Sequence, residues 1–466
     1  MKPPADHLEL ADLQGNVLRG YGFGHALYLF ARVRDTGPAR AFLAGLAGAG
    51  GDVVTAEEWT QGKPATALNV ALAHRALAAL GVPEPVLAGF PEEFRAGMAA
   101  RAPVLGDEGR SAPDRWEDGL RDGEIEVLLT VHGRDRAALD AAAGALRARL
   151  DAPGSGLEHT HEQPAGVLPF GREHFGFSDG FAQPAVEGDG QPAVPGRGIP
   201  ERWWPWQRAS ADRPRSRRGR IAWRSLHAGE FVLGYDDEDG TRPPAPAGPW
   251  GRNGTFMVWR KLAQDVAAFR AFTGGWAQRL GREEEWVAAR TVGRWRDGSP
   301  LELAPGRPDP ALAGDNDFSY AGDRQGMRCP RGAHVRRTNP RDGLGWGGTL
   351  TARHRIIRRG MPYGEPLPEG AADDGADRGL IFVCLQASIA RQFEIVQSQW
   401  INDGNAFGLG HDPDPLLGPP GRPGKLTIEG AAPAFLSPLP ACVTVRGGEY
   451  LFVPGLAALR SLSPDG

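Results

Sequence analysis

Two histidines, an aspartate in a glycine turn and a run of arginines are the residues of this chain best suited to do chemistry. The histidines lie in Met327-Arg-Cys-Pro-Arg-Gly-Ala-His334 and in His354-Arg-Ile-Ile-Arg358-Arg-Gly-Met-Pro-Tyr-Gly364, and seven arginines follow His334 by Arg359. A neutral imidazole can ligate a metal or a haem iron, and a nearby arginine can stabilise developing negative charge. The bland alternative is a polar connector whose histidines are hydrogen-bonded at the surface. The aspartate is Asp179, in Gly176-Phe-Ser-Asp179-Gly180-Phe-Ala-Gln-Pro184. Alone, Gly-x-x-Asp-Gly is a weak signal, because most such sequences are turns in which Asp bonds its own backbone and Gly takes positive φ.

Together the two stretches resemble the dye-decolourising peroxidase family of haem enzymes, which carries a GxxDG loop, a proximal histidine well downstream and a distal arginine shortly after it. Here His334 follows Asp179 by 155 residues and precedes Arg358 by 24. Asp12-Leu-Gln-Gly-Asn-Val-Leu-Arg-Gly-Tyr21, Glu230-Phe-Val-Leu-Gly-Tyr235, Gly254-Thr-Phe-Met-Val-Trp-Arg-Lys261 and Arg378-Gly-Leu-Ile-Phe-Val-Cys384 are also similar to the family. The resemblance implies haem b as cofactor, hydrogen peroxide as oxidant and a small or bulky organic molecule as electron donor. It selects His334, not His354, as iron ligand. It implies a carboxylate partner for the other ring nitrogen, for which Asp414 is favoured and Asp412 and Glu394 stay open. Ile356 and Phe382 match pocket-lining positions, and both serve equally as strand core. Arg336, Arg337 and Arg353 are candidates for the haem propionates, with nothing to single one out. Some relatives carry asparagine two residues after the distal arginine. Gly360 stands there, which implies more room or water beside it. The 13 Trp and 6 Tyr include candidates for relaying electrons to bulky donors, though most are structural.

On this reading Asp179 and Arg358 divide the work on peroxide. A carboxylate within hydrogen-bond reach can move a proton from the near oxygen to the departing one. The departing oxygen needs a fixed cation, and arginine stays charged at any working pH. Arg355 and Arg359 are close enough in sequence to remain alternatives. A haem-binding or haem-handling protein is the rival reading; it would need His334 but neither Asp179 nor Arg358.

The elements that must hold these residues follow from pattern. A chain of 466 residues with 41% hydrophobic and 24% charged residues is an ordinary globular composition for one or two domains. A formal charge of −4 argues against a nucleic-acid-binding surface over the whole molecule, and no apolar run is long enough to span a membrane. Cys329, Cys384 and Cys442 cannot build a disulfide framework, and no Cys-x-x-Cys-His marks covalent haem attachment. The start of the chain lacks an apolar signal region, so a cytoplasmic location is expected. A homo-oligomer is compatible with the sequence, which does not name the state.

Alternation predicts strands over 25–33, 67–71 and 124–131, with helices over 38–47, 73–80 and 135–150. The pattern breaks down over 157–224, which holds Trp203-Trp-Pro-Trp206 and six arginines from Arg208 to Arg220, read as a solvated loop. It resumes with strands at 231–234, 255–259, 381–385, 442–445 and 450–453, and helices over 264–279 and 388–400, the latter capped by Ser388. The fold class is therefore α+β: two ferredoxin-like domains with antiparallel sheets, 1–225 carrying the Asp179 loop and 226–466 binding most of the haem.

Overall fold

Where small, β-branched and aromatic residues alternate between two buried faces, this chain forms strands. The computed structural model describes residues 7–191, 194–202, 221–419 and 424–463. Among them the strands are β1 (His25–Val33), β2 (Thr66–Leu72), β3 (Val127–Gly133), β4 (Leu157–Gly166), β5 (Ile199–Arg202), β6 (Ile221–Arg224), β7 (Thr255–Gln264), β8 (Ile357–Arg358), β9 (Met361–Tyr363), β10 (Gly379–Gln386), β11 (Leu426–Ile428), β12 (Ala434–Leu436) and β13 (Val443–Val453). Trp203–Trp206 and the arginines of 208–220, expected to be a solvated loop, lie outside the described residues.

Nine strands form one antiparallel sheet in the order β4-β1-β3-β2-β13-β7-β10-β8, with β9 also on β10. The two halves expected from sequence thus share a sheet. They meet at β2 and β13, where Phe452 is in register with Leu72. Packing supports that short ladder: the Phe452 ring contacts Phe90, Phe94, Phe256 and Trp250. Each fully buried Phe contributes about 1.5–3 kcal/mol. Gly254 permits this arrangement, since a Cβ there would lie 2.3 Å from the Phe452 ring.

Successive strand residues serve opposite faces of the sheet. Leu27, Leu29, Val70 and Val258 join the helices Thr36–Leu46 and Arg136–Leu150 in one core. Tyr28, Phe30, Met257, Trp259, Ile381 and Val383 form the other core, under Phe231 and Val232.

Four local expectations are corrected. Residues 231–234 form no strand: Val232 N bonds Ala228 O, Leu233 N bonds Gly254 O, and Gly234 has φ +91°. A short apolar run is buried equally well in a turn. Residues 157–166 do form a strand, β4, which sits at the sheet edge where polar side chains and Pro164 are tolerated. The two late strands are one, β13, with a bulge after Val445. Gly447 and Gly448 sit where a Cβ would meet Leu120 and Met98. The helix after Ser388 is π-wound over Ala390–Glu394 and Val396–Ile401, a form that often marks functional sites. Ser388 does cap it, its Oγ accepting from Arg391 N.

Candidate functional site

Strand register builds one wall of a deep cavity. Arg260, Leu262 and Gln264 of β7, Leu380 and Phe382 of β10, and Val443 and Val445 of β13 all line it. They lie side by side: Leu262 pairs with Leu380 and Val445, and Phe382 with Arg260. Ile356 and Arg358 extend the wall through β8. Facing side chains come from the helix His334–Thr338, from the π-wound helix through Phe393, Val396 and Ile401, and from Leu416 and Leu417. The lining is mostly apolar, with a few polar groups converging, as in small-molecule and cofactor sites.

His334 is the first residue of its short helix and is half-buried. Its Nδ1 donates to Asp414 Oδ2 at 2.8 Å. Asp414, 1% exposed, also accepts from Leu416 N and Leu417 N, both at 2.9 Å. Burial pushes the His334 pKa down, but the Asp414 carboxylate reverses this and leaves it above the ordinary imidazole value. Burial likewise pushes the Asp414 carboxyl up, and His334 with the backbone donors brings it below its usual range. Nε2 has no protein partner among the described residues. The alternatives are occupied elsewhere. Asp412 binds Lys425 and accepts from Thr427 N. Glu394 is bidentate with Arg101 and accepts from Tyr450.

The Asp414 loop is anchored by Arg337, 0% exposed, whose guanidinium donates to the carbonyls of Trp400, Asp403 and Asp412. Arg337→Ala would remove the guanidinium donor from the buried carbonyls of Trp400 and Asp412 and from that of Asp403. A loss of about 3–5 kcal/mol is expected, read by chemical denaturation against wild type; an unchanged midpoint would show the loop is held by other contacts. Arg336 pairs with Asp323, and Arg353 with Asp239. None of these three arginines lines the cavity, so they are not placed to meet the edge of a group bound there. Arg294 and Arg355 do line it. Burial beside Arg341 and Arg358 draws Arg355 down to about 9.

On the sheet side, Asp179 Oδ1 lies 2.7 Å from Arg358 Nη1 and 2.6 Å from Gly180 N. Although the carboxylate is 53% exposed to the cavity, the surrounding protein excludes enough water to push its pKa up. Arg358 and the Gly180 amide more than reverse this, so it ends below the usual carboxylate range. The pair is close enough to His334 to affect its titration. Arg359 turns away, donating to Asn16 O and Val17 O. His354 lines the cavity, but its Nδ1 is bound to Arg391 O, and its ring stands edge-on to Trp400 at 5.1 Å.

The Asp179 loop is held by residues that sequence reading missed. Half-buried beneath it, the Glu173 carboxylate accepts from Phe175 N, Phe177 N and Gln264 Nε2. Asn316 Nδ2 donates to Phe181 O, and Arg355 to Ala182 O. Gln183 Oε1 accepts from Arg358 N, tying loop to strand. Gly360 lines the cavity, and a Cβ there would lie 2.5 Å from Ile381 O, so glycine is also what lets this segment lie against β10.

Among the described residues no three His, Cys, Asp or Glu side chains gather as a metal site. His334 could therefore hold iron only where a cofactor such as a porphyrin supplies the other ligands. A deep apolar cavity, one carboxylate-braced histidine and an opposed Asp–Arg pair fit a haem. No helix among the described residues is long and apolar enough to cross a membrane.

Comparison with known proteins agrees. Residues 12–162 match the DyP dimeric alpha+beta barrel domain, and residues 244–408 match the Dyp-type peroxidase C-terminal domain. The multifunctional dye peroxidase DyP2 of Amycolatopsis sp. is 32% identical over 97% of this chain and 96% of its own. A fungal DyP-type peroxidase from Auricularia auricula-judae superposes with a TM-score of 0.81 at 26% identity, covering 98% of this chain and all of that one. A dye-decolorizing peroxidase solved in complex with 2,6-dimethoxyphenol gives 0.80 at 27% identity, with coverage of 98% and 100%. Likeness that runs along nearly the whole length of a relative, and not only through its motifs, makes this chain a member of the dye-decolourising peroxidase family, a haem peroxidase that oxidises organic donors.

Proposed function

We propose that the chain holds haem b between the β7/β10/β13 wall and the helix His334–Thr338, where His334 would hold the iron, and uses hydrogen peroxide to oxidise dyes and phenols. When bound, haem would supply the redox chemistry, two one-electron oxidations of the donor for each peroxide. Asp414 fixes the proton on Nδ1, so the Nε2 lone pair faces the cavity and the ring becomes a stronger donor. Asp179 takes the proton from the near peroxide oxygen and returns it to the leaving one. Arg358 meets the charge that builds on that leaving oxygen. Ile356 and Phe382 keep bulk water off this face. Residues 226–466 provide most of the cavity, and 1–225 provide the Asp179 loop.

The ion pair of Asp179 with Arg358, opposed to a carboxylate-braced histidine, carries this reading. A haem-handling protein would have no need of that pair. The test is the visible spectrum of the haem-loaded protein before and after peroxide, followed by turnover of 2,6-dimethoxyphenol. We expect a Soret band that changes on adding peroxide and returns with donor. A protein that takes up haem but neither reacts with peroxide nor oxidises the phenol would overturn the proposal in favour of haem handling.

A further inference from the structure

A second pocket lies on the far side of β13 from the cavity, lined by Arg110, Arg115, Thr444 and Arg446. All three arginines are exposed. The one hydrogen bond from their guanidinium groups among the described residues is Arg110 Nη2 to Ala441 O at 2.9 Å, and none of the three forms an ion pair. Elsewhere on the surface, arginines such as Arg34, Arg136 and Arg149 are each matched with a carboxylate. Three guanidiniums around one pocket repel each other, and among the described residues no carboxylate forms an ion pair with any of them. An anion would offset that repulsion, because guanidinium binds sulfonate, phosphate or carboxylate through charge-assisted hydrogen bonds.

The pocket is also pre-built. Arg446 is the residue left unpaired by the bulge in β13, between Val445 opposite Leu262 and Gly447 opposite Lys261; bulges commonly re-aim a side chain. The loop carrying Arg110 and Arg115 is pinned to the same strand. Val445 N donates to Ser111 Oγ, Glu117 N donates to Arg446 O, and Trp116 Nε1 ties the loop to itself at Ser111 O.

Its position matters as much as its charge. Val443 and Val445 line the large cavity, while Thr444 between them lines the arginine pocket. Ser111 lines the cavity and its neighbour Arg110 the pocket. One strand thus separates the two spaces. We propose that Arg110, Arg115, Arg446 and Thr444 form a docking site for the anionic group of an aromatic electron donor, such as an arene sulfonate, holding it one strand away from the cofactor cavity. This donor assignment rests on the peroxidase reading above; the binding site itself does not.

The test compares the holoenzyme with an Arg110→Ala/Arg115→Ala/Arg446→Ala variant and with Arg115→Glu, all at exposed positions. Calorimetric titration without peroxide uses naphthalene-1-sulfonate, with inorganic phosphate as the second probe. Steady-state rates then use a sulfonated azo dye and neutral 2,6-dimethoxyphenol. We expect the sulfonate to bind wild type more tightly than phosphate and to bind both variants more weakly. KM for the sulfonated dye should rise about tenfold in the triple variant, with kcat and the neutral phenol little changed. Wild-type KM for the dye should also climb as salt shortens the screening length from about 30 Å to about 8 Å, and the triple variant should lack that climb. Sulfonate binding unchanged in both variants would overturn the site. Phosphate binding as tightly as the sulfonate would overturn its assignment to an aromatic donor. If no donor is oxidised at all, the peroxidase reading fails while the titration still decides whether the site exists.

Discussion

His334→Ala is expected to strip the protein of nearly all its haem, because His334 is the proposed iron ligand on the helix wall of the cavity. The variant should still fold. Asp414 loses its imidazole partner but keeps two backbone donors, Leu416 N and Leu417 N, so the stability cost should be about 1–3 kcal/mol. Haem-to-protein ratio after reconstitution, with circular dichroism to check folding, measures the effect. Asp414→Asn separates ligation from bracing. It keeps the ligand but removes the charge behind it, and loss of such a partner typically weakens metal binding about 10–100-fold. The expected order of haem retention is wild type, then Asp414→Asn, then His334→Ala. A His334→Ala protein with full haem content and an unaltered spectrum would rule the ligand out.

The second large effect is expected at Arg358. Removing a fixed cation aimed at developing negative charge typically costs about 10²–10³ in rate, so Arg358→Leu should slow the reaction with peroxide by that factor while haem content stays normal. The variant also has a pH signature whose sign follows from the site. Asp179 works as a base only when ionised. In the wild type its pKa is below the usual carboxylate range, so activity persists into acid and falls only as pH drops through that lowered value. Arg358 is the main group lowering it against the upward push of burial. Without the guanidinium, the Asp179 pKa rises and the acid limb of the rate profile moves to higher pH. Asp179→Asn should lose that limb altogether, at a rate cost equal to or smaller than that of Arg358→Leu. Stopped-flow spectra across pH read both variants. Wild-type rates in both would remove this pair from the reaction.

What was legible in the sequence was chemistry carried by short, unusual runs. Asp179 between two loop glycines and His334 behind Cys-Pro-Arg-Gly-Ala are weak signals singly; they stood out because their order and spacing together resemble those of one family. Strands with two buried faces were legible through alternation, as in β1 and β7. The supports of the site were not. Glu173 and Gln264 are ordinary polar residues whose meeting under the Asp179 loop depends on β7 ending where it does, and no local pattern encodes that. The edge strand β4 hid because an edge tolerates the histidines, glutamates and proline that usually signal a loop. The joining of the two halves into one sheet rests on Phe452 reaching Phe90 and Phe256, a contact between distant parts of the chain. Gly360 was read as an omission because only its side chain was considered. Its backbone lies against β10, and the missing Cβ is the requirement.

The place of β13 in the sheet sets an order of events during synthesis. It pairs with β7 on one side and reaches β2 on the other, so it is at once a wall of the cavity and the seam between the halves. It also follows every other strand of the sheet along the chain. On the ribosome, the strands before it can fold as two separate half-sheets, but the slot stays open on one side until Val443–Val453 has emerged. A nascent chain that lacks β13 therefore lacks the Val443 and Val445 part of the cavity wall. The strand insertion that closes the slot is the same one that joins the two half-sheets into one body, so the cavity and the joined sheet form together.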